Sequence, residues 1–318
     1  MHDCAAILNS VQDMMPKSRA SISRDTGLDQ NLVDDAIQFM INIGVPLEAD
    51  HEDMIRLGRM IIPLDIGYIR EKNYDNLAIR PSHINLLDSV DSTNEYLLEL
   101  SETRSIHAQV CIAEHMSHGR GSRSRKWVAG AFENIMLSVG WSIPGDIRIV
   151  TGLSLAVAVM TVHCLTRLTA QEFQVKWPND VLLGNRKIAG ILVEIRNSVA
   201  VVGVGVNCRL TASEAELIDQ PAADLAEVCD ITSRRSELAA ELILELGQGL
   251  DLFFREGLAP FKDEWMHLHA NQGRIMRAQG DVAVTGVAVG IDDSGALLVK
   301  PNDSMAVPIY AGDVRPVD

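Results

Sequence analysis

Cationic side chains gather in two separated stretches of this chain. The first is Gly119-Arg120-Gly121-Ser122-Arg123-Ser124-Arg125-Lys126-Trp127, with two glycines, three arginines and a lysine in nine residues. Such a loop cannot pack into a core, whereas successive backbone N–H groups and guanidinium forks match a phosphate. Trp127 adds a flat apolar face suited to stacking on a base. Charge-rich loops are commonly just solvated, so this signal alone is weak. The second stretch runs from Lys176-Trp177-Pro178-Asn179-Asp180 through Gly184-Asn185-Arg186-Lys187 to Ile188-Ala189-Gly190-Ile191-Leu192-Val193-Glu194. Lys176, Asp180 and Lys187 sit inside or beside segments that otherwise read as buried strands, and a buried charge is costly unless a partner or ligand compensates it. An anion belongs there. Two further segments carry polar groups at useful places. Asp91-Ser92-Thr93-Asn94 precedes a helical run, where Ser92 or Thr93 serves as N-cap or, with Asn94, faces a polar ligand. The run Val199–Asn207 is apolar except at its end, and Gly203 and Gly205 mark where a backbone or ligand approaches closely.

The elements that position these residues follow from periodicity. Alternating segments Phe173–Trp177 and Ile188–Ile195 flank the polar turn Gly184-Asn185-Arg186 and predict a β-hairpin. Strands are predicted at Val110–Glu114, Phe132–Trp141 and Val199–Asn207, and helices at Gly152–Leu168, Ser236–Phe254 and Pro260–Leu268. From Gly273 four short strands, Arg274–Ala278, Val282–Ile291, Ala296–Lys300 and Ala306–Tyr310, predict a small antiparallel barrel. At the other end, Ala5–Met14 reads as an amphipathic helix. Ser21–Leu28 and Asn31–Ile43 read as the two helices of a helix-turn-helix, the second with Leu32, Ala36, Ile37, Met40 and Ile41 at helical spacing. Val45–Ile62 fits a two-stranded wing. Residues 67–83 show no sustained periodicity and read as a linker. The expected organisation is therefore a winged helix-turn-helix-like domain over 1–66, the linker, a catalytic domain over 84–270 and a barrel over 271–318.

Composition narrows the options. A net charge of −15 over 318 residues argues against bulk adhesion to nucleic acid or an anionic membrane, so any such contact must be local. The five cysteines are scattered and lack CxxC spacing, which points to a reduced, cytoplasmic protein without a thiolate metal site. Met1-His2-Asp3-Cys4 shows no signal-peptide pattern, and the apolar run Leu153–Leu165 is shorter than the roughly 20 residues that span a bilayer, so no membrane association is expected. Residues 1–66 hold five basic side chains against eleven acidic ones, and the second helix carries Asp34 and Asp35 but no Lys or Arg. That opposes phosphate-driven DNA binding, although Gln30, Asn31 and Gln38 have the chemistry to read bases.

Taken in order, Asp91-Ser92-Thr93-Asn94, Gly119-Arg120-Gly121 with Arg125-Lys126-Trp127, Lys176-Trp177-Pro178-Asn179-Asp180, Arg186–Glu194, Gly203-Val204-Gly205-Val206-Asn207 and Glu256-Gly257-Leu258-Ala259-Pro260 resemble the biotin protein ligases, in particular the type that is both ligase and biotin operon repressor. The resemblance covers about residues 84–318 well and 1–66 in outline. It implies an α+β fold: a winged helix-turn-helix, a central mixed β-sheet with helices of the class II synthetase kind, and an SH3-like barrel. It implies a reaction in which biotin and ATP give biotinyl-5′-adenylate, whose acyl group passes to a lysine of a biotin carboxyl carrier protein of acetyl-CoA carboxylase. Lys187, Arg120 and Asp180 would carry the catalysis, with Asp180 either binding Mg²⁺ or receiving the acceptor lysine. Ser92, Thr93, Asn94, Met116, Arg120, Gly121, Ser122, Lys187 and Gly190 would hold biotin. Gly119, Arg123, Arg125, Lys126, Trp127, Lys176, Asn179 and Asn207 would hold the nucleotide, Trp127 by stacking on adenine and the N–H groups of Gly119 and Gly121 by closing over the adenylate. Operator DNA and a homodimer joined through side-by-side sheets complete the implied partners. Two positions depart from the family pattern, Met116 in place of glutamine and Ser122 in place of a second arginine, and losing a bidentate guanidinium implies weaker retention of the adenylate. The competing reading is a regulator that binds biotin or its adenylate and ligates poorly. A lipoate or octanoate transferase is disfavoured by the loop ending in Trp127.

Overall fold

The computed structural model describes residues 3–49, 54–279, 283–302 and 304–317, apart from the Ser124 side chain. The tip of the expected wing, residues 50–53, the first residue of the Val282–Ile291 segment and Asp303 lie outside them.

The N-terminal part comprises α1 (Cys4–Ser10), β1 (Lys17–Ser18), α2 (Arg19–Thr26), α3 (Gln30–Asn42), β2 (Leu47–Ala49) and β3 (Met54–Leu57), the strands pairing antiparallel in the order β1-β3-β2. Ser18 caps α2 by accepting from Ser21 N, Gly27 ends it at φ 73°, and Asp29 caps α3. This is a winged helix-turn-helix. Its apolar face differs from the predicted one by a rotation of α3: Val33, Ala36, Ile37 and Met40 are buried, while Leu32 and Ile41 are exposed, because the hydrophobic stripe has to meet α1 and α2.

The segment expected as a linker instead contains α4 (Ile66–Lys72), capped by Asp65, whose Ile69 belongs to the main core together with Leu64 and Ile79. The segment lacks a long period because α4 is only 7 residues long.

The central sheet has seven strands in the order β4-β5-β6-β10-β9-β8-β7. In chain order these are β4 (Ile84–Leu87), β5 (Gln109–Ala113), β6 (Ile135–Ser142), β7 (Gln174–Lys176), β8 (Asp180–Leu183), β9 (Arg186–Arg196) and β10 (Val199–Val206). Only β4 and β5 run parallel. Helix α5 (Thr93–Leu100) packs with Cys111 and Val201 on one face. Helices α6 (Leu153–Thr169) and α8 (Arg235–Glu256), with the short α7 (Ala212–Glu216) between them in sequence, belong with α9 (Ala259–Leu268) to the large core on the other. Burial on both faces explains why β10 reads as an unbroken apolar run. The stretch Ile147–Thr169 is long and apolar enough to cross a membrane by composition, yet its α6 portion is mostly buried against α8, α9 and the sheet.

The predicted hairpin is a three-stranded meander. Residues 173–177 do not pair with β9; β8 lies between, because the turn Trp177–Asn179, with a cis Trp177–Pro178 bond, folds the chain back before Gly184 does.

At the C-terminus β11 (Ile275–Gln279), β12 (Val284–Ile291), β13 (Leu297–Lys300), β14 (Val307–Ile309) and β15 (Asp313–Pro316) form an antiparallel sheet in the order β14-β13-β12-β11-β15. The last strand has no sequence counterpart in the prediction, since Asp313-Val314-Arg315-Pro316 alternates over too few residues. This sheet shares its core with the central part, and Trp177 Nε1 donates to Gly295 O at 3.0 Å. A buried ion pair joins the N-terminal part to the same body. The Arg235 guanidinium meets Glu114 and donates to the carbonyls of Ile62, Phe132 and Asn134, while Glu114 Oε1 accepts from Leu64 N.

Candidate active site

The glycine-arginine loop is a tight hairpin. Trp127 N donates to Gly119 O at 2.9 Å and Gly121 N to Arg125 O at 2.7 Å, around a turn in which Arg123 adopts the left-handed region at φ 60°. The N–H of Gly121, expected to close over a phosphate, is therefore already paired inside the loop. The close turn also explains Gly119, where a Cβ would stand 2.8 Å from Trp127 O.

Trp127 lies across the sheet on a floor of glycines. Gly190 of β9 and Gly205 of β10 are register partners, and a Cβ on Gly205 would stand 2.5 Å from the indole. The ring thus rests on β9 and β10, with Lys187 Nζ 5.7 Å from its centroid, and separates two adjoining cavities.

The first cavity is lined by Ser92, Thr93, Asn94, Met116, Arg120, Gly121, Ser122, Lys187 and Gly190, the full set assigned above to the vitamin. Asn179 lines it too, its amide donating to Ile191 O at 2.7 Å, so it stands away from the cavity expected for the nucleotide. At the start of α5, Ser92 accepts from Glu95 N as N-cap, while Thr93 and Asn94 turn inward and are buried. Cap and ligand-facing readings therefore both apply, and Ser92 belongs to both, capping α5 while lining the cavity. Ser138 of β6 lies 2.7 Å from Thr93 Oγ1 and 2.6 Å from Asn94 Oδ1. A hydroxyl has one proton, and the amide oxygen can only accept, so Ser138 donates to Asn94 and Thr93 Oγ1 keeps lone pairs for a ligand N–H. Asn94 Nδ2 donates to Glu194 Oε2 at 2.8 Å. Gly203 makes room for this amide, since a Cβ there would stand 2.5 Å from Asn94 Oδ1.

Lys187 faces both cavities. The β8–β9 register shifts between Val181 and Leu182, a bulge of the kind that re-aims side chains. The ammonium lies 2.5 Å from buried Asp180 Oδ1, an ionic contact without hydrogen-bond alignment. The Lys187 backbone is clamped by Pro221 O and Ala223 N.

The second cavity is lined by Arg125, Lys126, Trp127 and Asn207 from the predicted nucleotide set, together with Leu217, Ile218, Asp219, Gln220 and Ala222. Asn207 Nδ2 donates to Lys187 O and Ala223 O, fixing the segment that follows. Gly119 and Arg123 instead border a shallow depression on the outer side of the loop, where Arg123 donates to Gly312 O of the C-terminal sheet. Lys176 lines none of these cavities, because it stands on β7, the edge strand at the far end of the sheet.

Sequence reasoning overlooked Ser138, Glu95, Glu194 and the 217–222 segment. Ser138 inside the apolar β6 and a lone Glu in β9 were the available signals; residues 217–222 offered none.

A chain that places a lysine between two such cavities invites comparison with known proteins. The sequence pattern of the biotin/lipoate A/B protein ligase family matches residues 86–210, and that of the biotin protein ligase C-terminal domain matches 273–315. The bifunctional ligase/repressor BirA of Salmonella typhimurium is 37% identical over 239 residues, 73% of each chain. This chain belongs to the biotin protein ligase family. The biotin–acetyl-CoA-carboxylase ligase of Mycobacterium tuberculosis is 31% identical to this ligase over 238 residues, 73% of this chain and 88% of that one. The biotin protein ligase of Aquifex aeolicus, solved with biotin and ATP, shares the fold at a TM-score of 0.63 and 23% identity, over 74% of this ligase and 99% of that chain. The matched C-terminal domain sets the chain apart within a family pattern whose description also covers lipoate enzymes.

Proposed function

We propose that this enzyme activates biotin with ATP and transfers it to a lysine of a biotin carboxyl carrier protein. One observation carries the reading: Lys187 lines both cavities, at the wall where a carboxylate in the first would meet an α-phosphate in the second. In the first step a biotin carboxylate oxygen attacks the α-phosphorus, a new P–O bond forms, and the bond to the β-phosphate breaks with loss of pyrophosphate. Negative charge grows on the α-phosphate oxygens. A preorganised ammonium there is worth on the order of 10²–10³ in rate. In the second step an unprotonated acceptor amine attacks the acyl carbon, an amide forms, and the C–O bond to phosphate breaks, releasing AMP and one proton. Asp180, already in ionic contact with Lys187, holds that ammonium in place.

Mg²⁺ would arrive with the nucleotide and offset phosphate charge. Among the described residues no cluster of three acidic, His or Cys side chains could hold it alone, and Asp180 is engaged by Lys187; Mg²⁺ commonly takes most of its ligands from phosphates and water.

The reading extends to a biotin-responsive repressor in which the winged domain binds operator DNA. Gln30, Asn31 and Gln38 are exposed on α3, Gln38 bonded to Asn42. Lys17, Arg19 and Arg56 are ion-paired with Asp25, Asp34 and Glu48, so DNA must compete for them. A cytoplasmic homodimer fits the scattered cysteines and the reach of β9 beyond its pairing with β8, which leaves a strand edge for a second copy.

The test is incubation with ATP, Mg²⁺, labelled biotin and a carrier domain. Label on one carrier lysine is expected. Adenylate without transfer would favour the regulator, and a mobility shift with operator DNA in the presence of biotin tests the repressor.

A further inference from the structure

Arg120 does not reach into the first cavity unopposed. Its Nη2 lies 2.7 Å from Glu95 Oε2 and 3.2 Å from Glu194 Oε2, and Glu194 Oε2 is the same oxygen that accepts from Asn94 Nδ2. Glu95 in turn lies 3.2 Å from Arg196, which also meets Glu102 at 3.5 Å. Two carboxylates thus converge on the guanidinium that lines the cavity beside Lys187. A carboxylate or phosphate entering the cavity offers Arg120 the same kind of charge-assisted N–H to oxygen contact that Glu95 and Glu194 supply through Nη2.

We propose that Glu95 and Glu194 form an internal counter-anion for Arg120, and that Glu95 is thereby a residue that sets the site's preference for anionic over neutral ligands. The inference rests on the ligase reading for its choice of ligand. An anionic ligand competes with the two glutamates for Arg120, whereas a neutral ligand leaves the cluster as it is. Glu194 has a second duty on the pocket floor through Asn94, so the discriminating residue is Glu95, which touches Arg120 and Arg196 but lines neither cavity. Arg196 pulls the other way: by sharing Glu95 it loosens that residue's hold on Arg120.

The two residues therefore give variants of opposite sign. Binding to the full chain is measured by calorimetry at low ionic strength, where partly exposed pairs are least screened, with biotin and with the neutral alcohol biotinol. Glu95→Gln keeps the side-chain shape and is expected to tighten biotin about threefold, in the range of exposed ion pairs, with biotinol unchanged. Arg196→Ala is expected to weaken biotin by a similar factor, again sparing biotinol. If biotin and biotinol shift together, or neither variant shifts biotin, the counter-anion role is wrong. Wild-type protein that binds neither compound would overturn the ligase reading and this inference with it, which separates the two failures.

Discussion

Lys187 Nζ sits 2.5 Å from Asp180 Oδ1 and over the Trp127 ring, so a single ammonium is fixed from two sides at the partition between the cavities. Lys187→Ala is expected to lower the rate of biotin-dependent pyrophosphate exchange about 10²–10³-fold. Lys187→Arg should not restore it, because the tighter space beside Gly190, where a Cβ would already meet Nζ at 2.9 Å, has no room for the wider guanidinium. An arginine variant with near-normal exchange would argue against the placement.

The glycine floor yields a paired prediction. Gly205→Ala forces the Trp127 indole to move and should raise the KM for ATP about tenfold or more, the equivalent of about 1–3 kcal/mol of overpacking. Gly203→Ala pushes instead on Asn94 and should weaken biotin binding by a comparable factor with a smaller effect on ATP. Steady-state kinetics with each substrate varied in turn distinguishes the two.

Ser122 lines both cavities, with Arg125 Nη2 3.3 Å from its hydroxyl. Ser122→Arg adds a fork donor at that lip. A charge-assisted hydrogen bond is worth about 1.5–3 kcal/mol, so the adenylate should dissociate about tenfold more slowly and label fewer bystander lysines. Equal dissociation rates in a pulse-chase measurement would remove the idea that the native enzyme is leaky.

Breaking the Arg235–Glu114 pair should be felt throughout the chain. Arg235→Met strands the Glu114 carboxylate and three carbonyls in the interior and is expected to cost about 3–5 kcal/mol, read as a lower midpoint in thermal unfolding.

His163 lies between Glu245 at 2.8 Å and Glu264 at 2.6 Å. Hydrogen bonding to Glu245, aided by Glu264 and opposed by burial, raises its pKa above the ordinary 6.5. The folded state therefore holds the proton more tightly than the unfolded chain. Its contribution is complete below about pH 6.5 and fades as pH rises through the elevated value. A His163→Gln variant should lose most thermal stability relative to wild type on the acid side and converge with it on the alkaline side. A constant difference across that range would count against the charged form.

Much of the fold was legible where an element is long enough to announce its period. The two helices of the helix-turn-helix, the apolar β10 and the long α6 and α8 follow from local residue types. β8 was not, since Asp180–Leu183 is too short to show a period and its identity depends on where the chain turns at Pro178. Helix α4 likewise owes its burial to α8, far away in sequence.

By itself the sequence determined that two cationic stretches and a small-polar helix start should meet around an anion, because uncompensated charge inside strands demands a counter-group. Which atoms face one another was decided only in three dimensions. Gly190 and Gly205 become a floor for Trp127 through cross-strand register, and Lys187 joins the two cavities through a bulge. Arg120 answers first to Glu95 and Glu194. Hydrogen bonds and ion pairs act over a few ångströms, and separations that short between residues tens of positions apart exist only once the sheet has assembled.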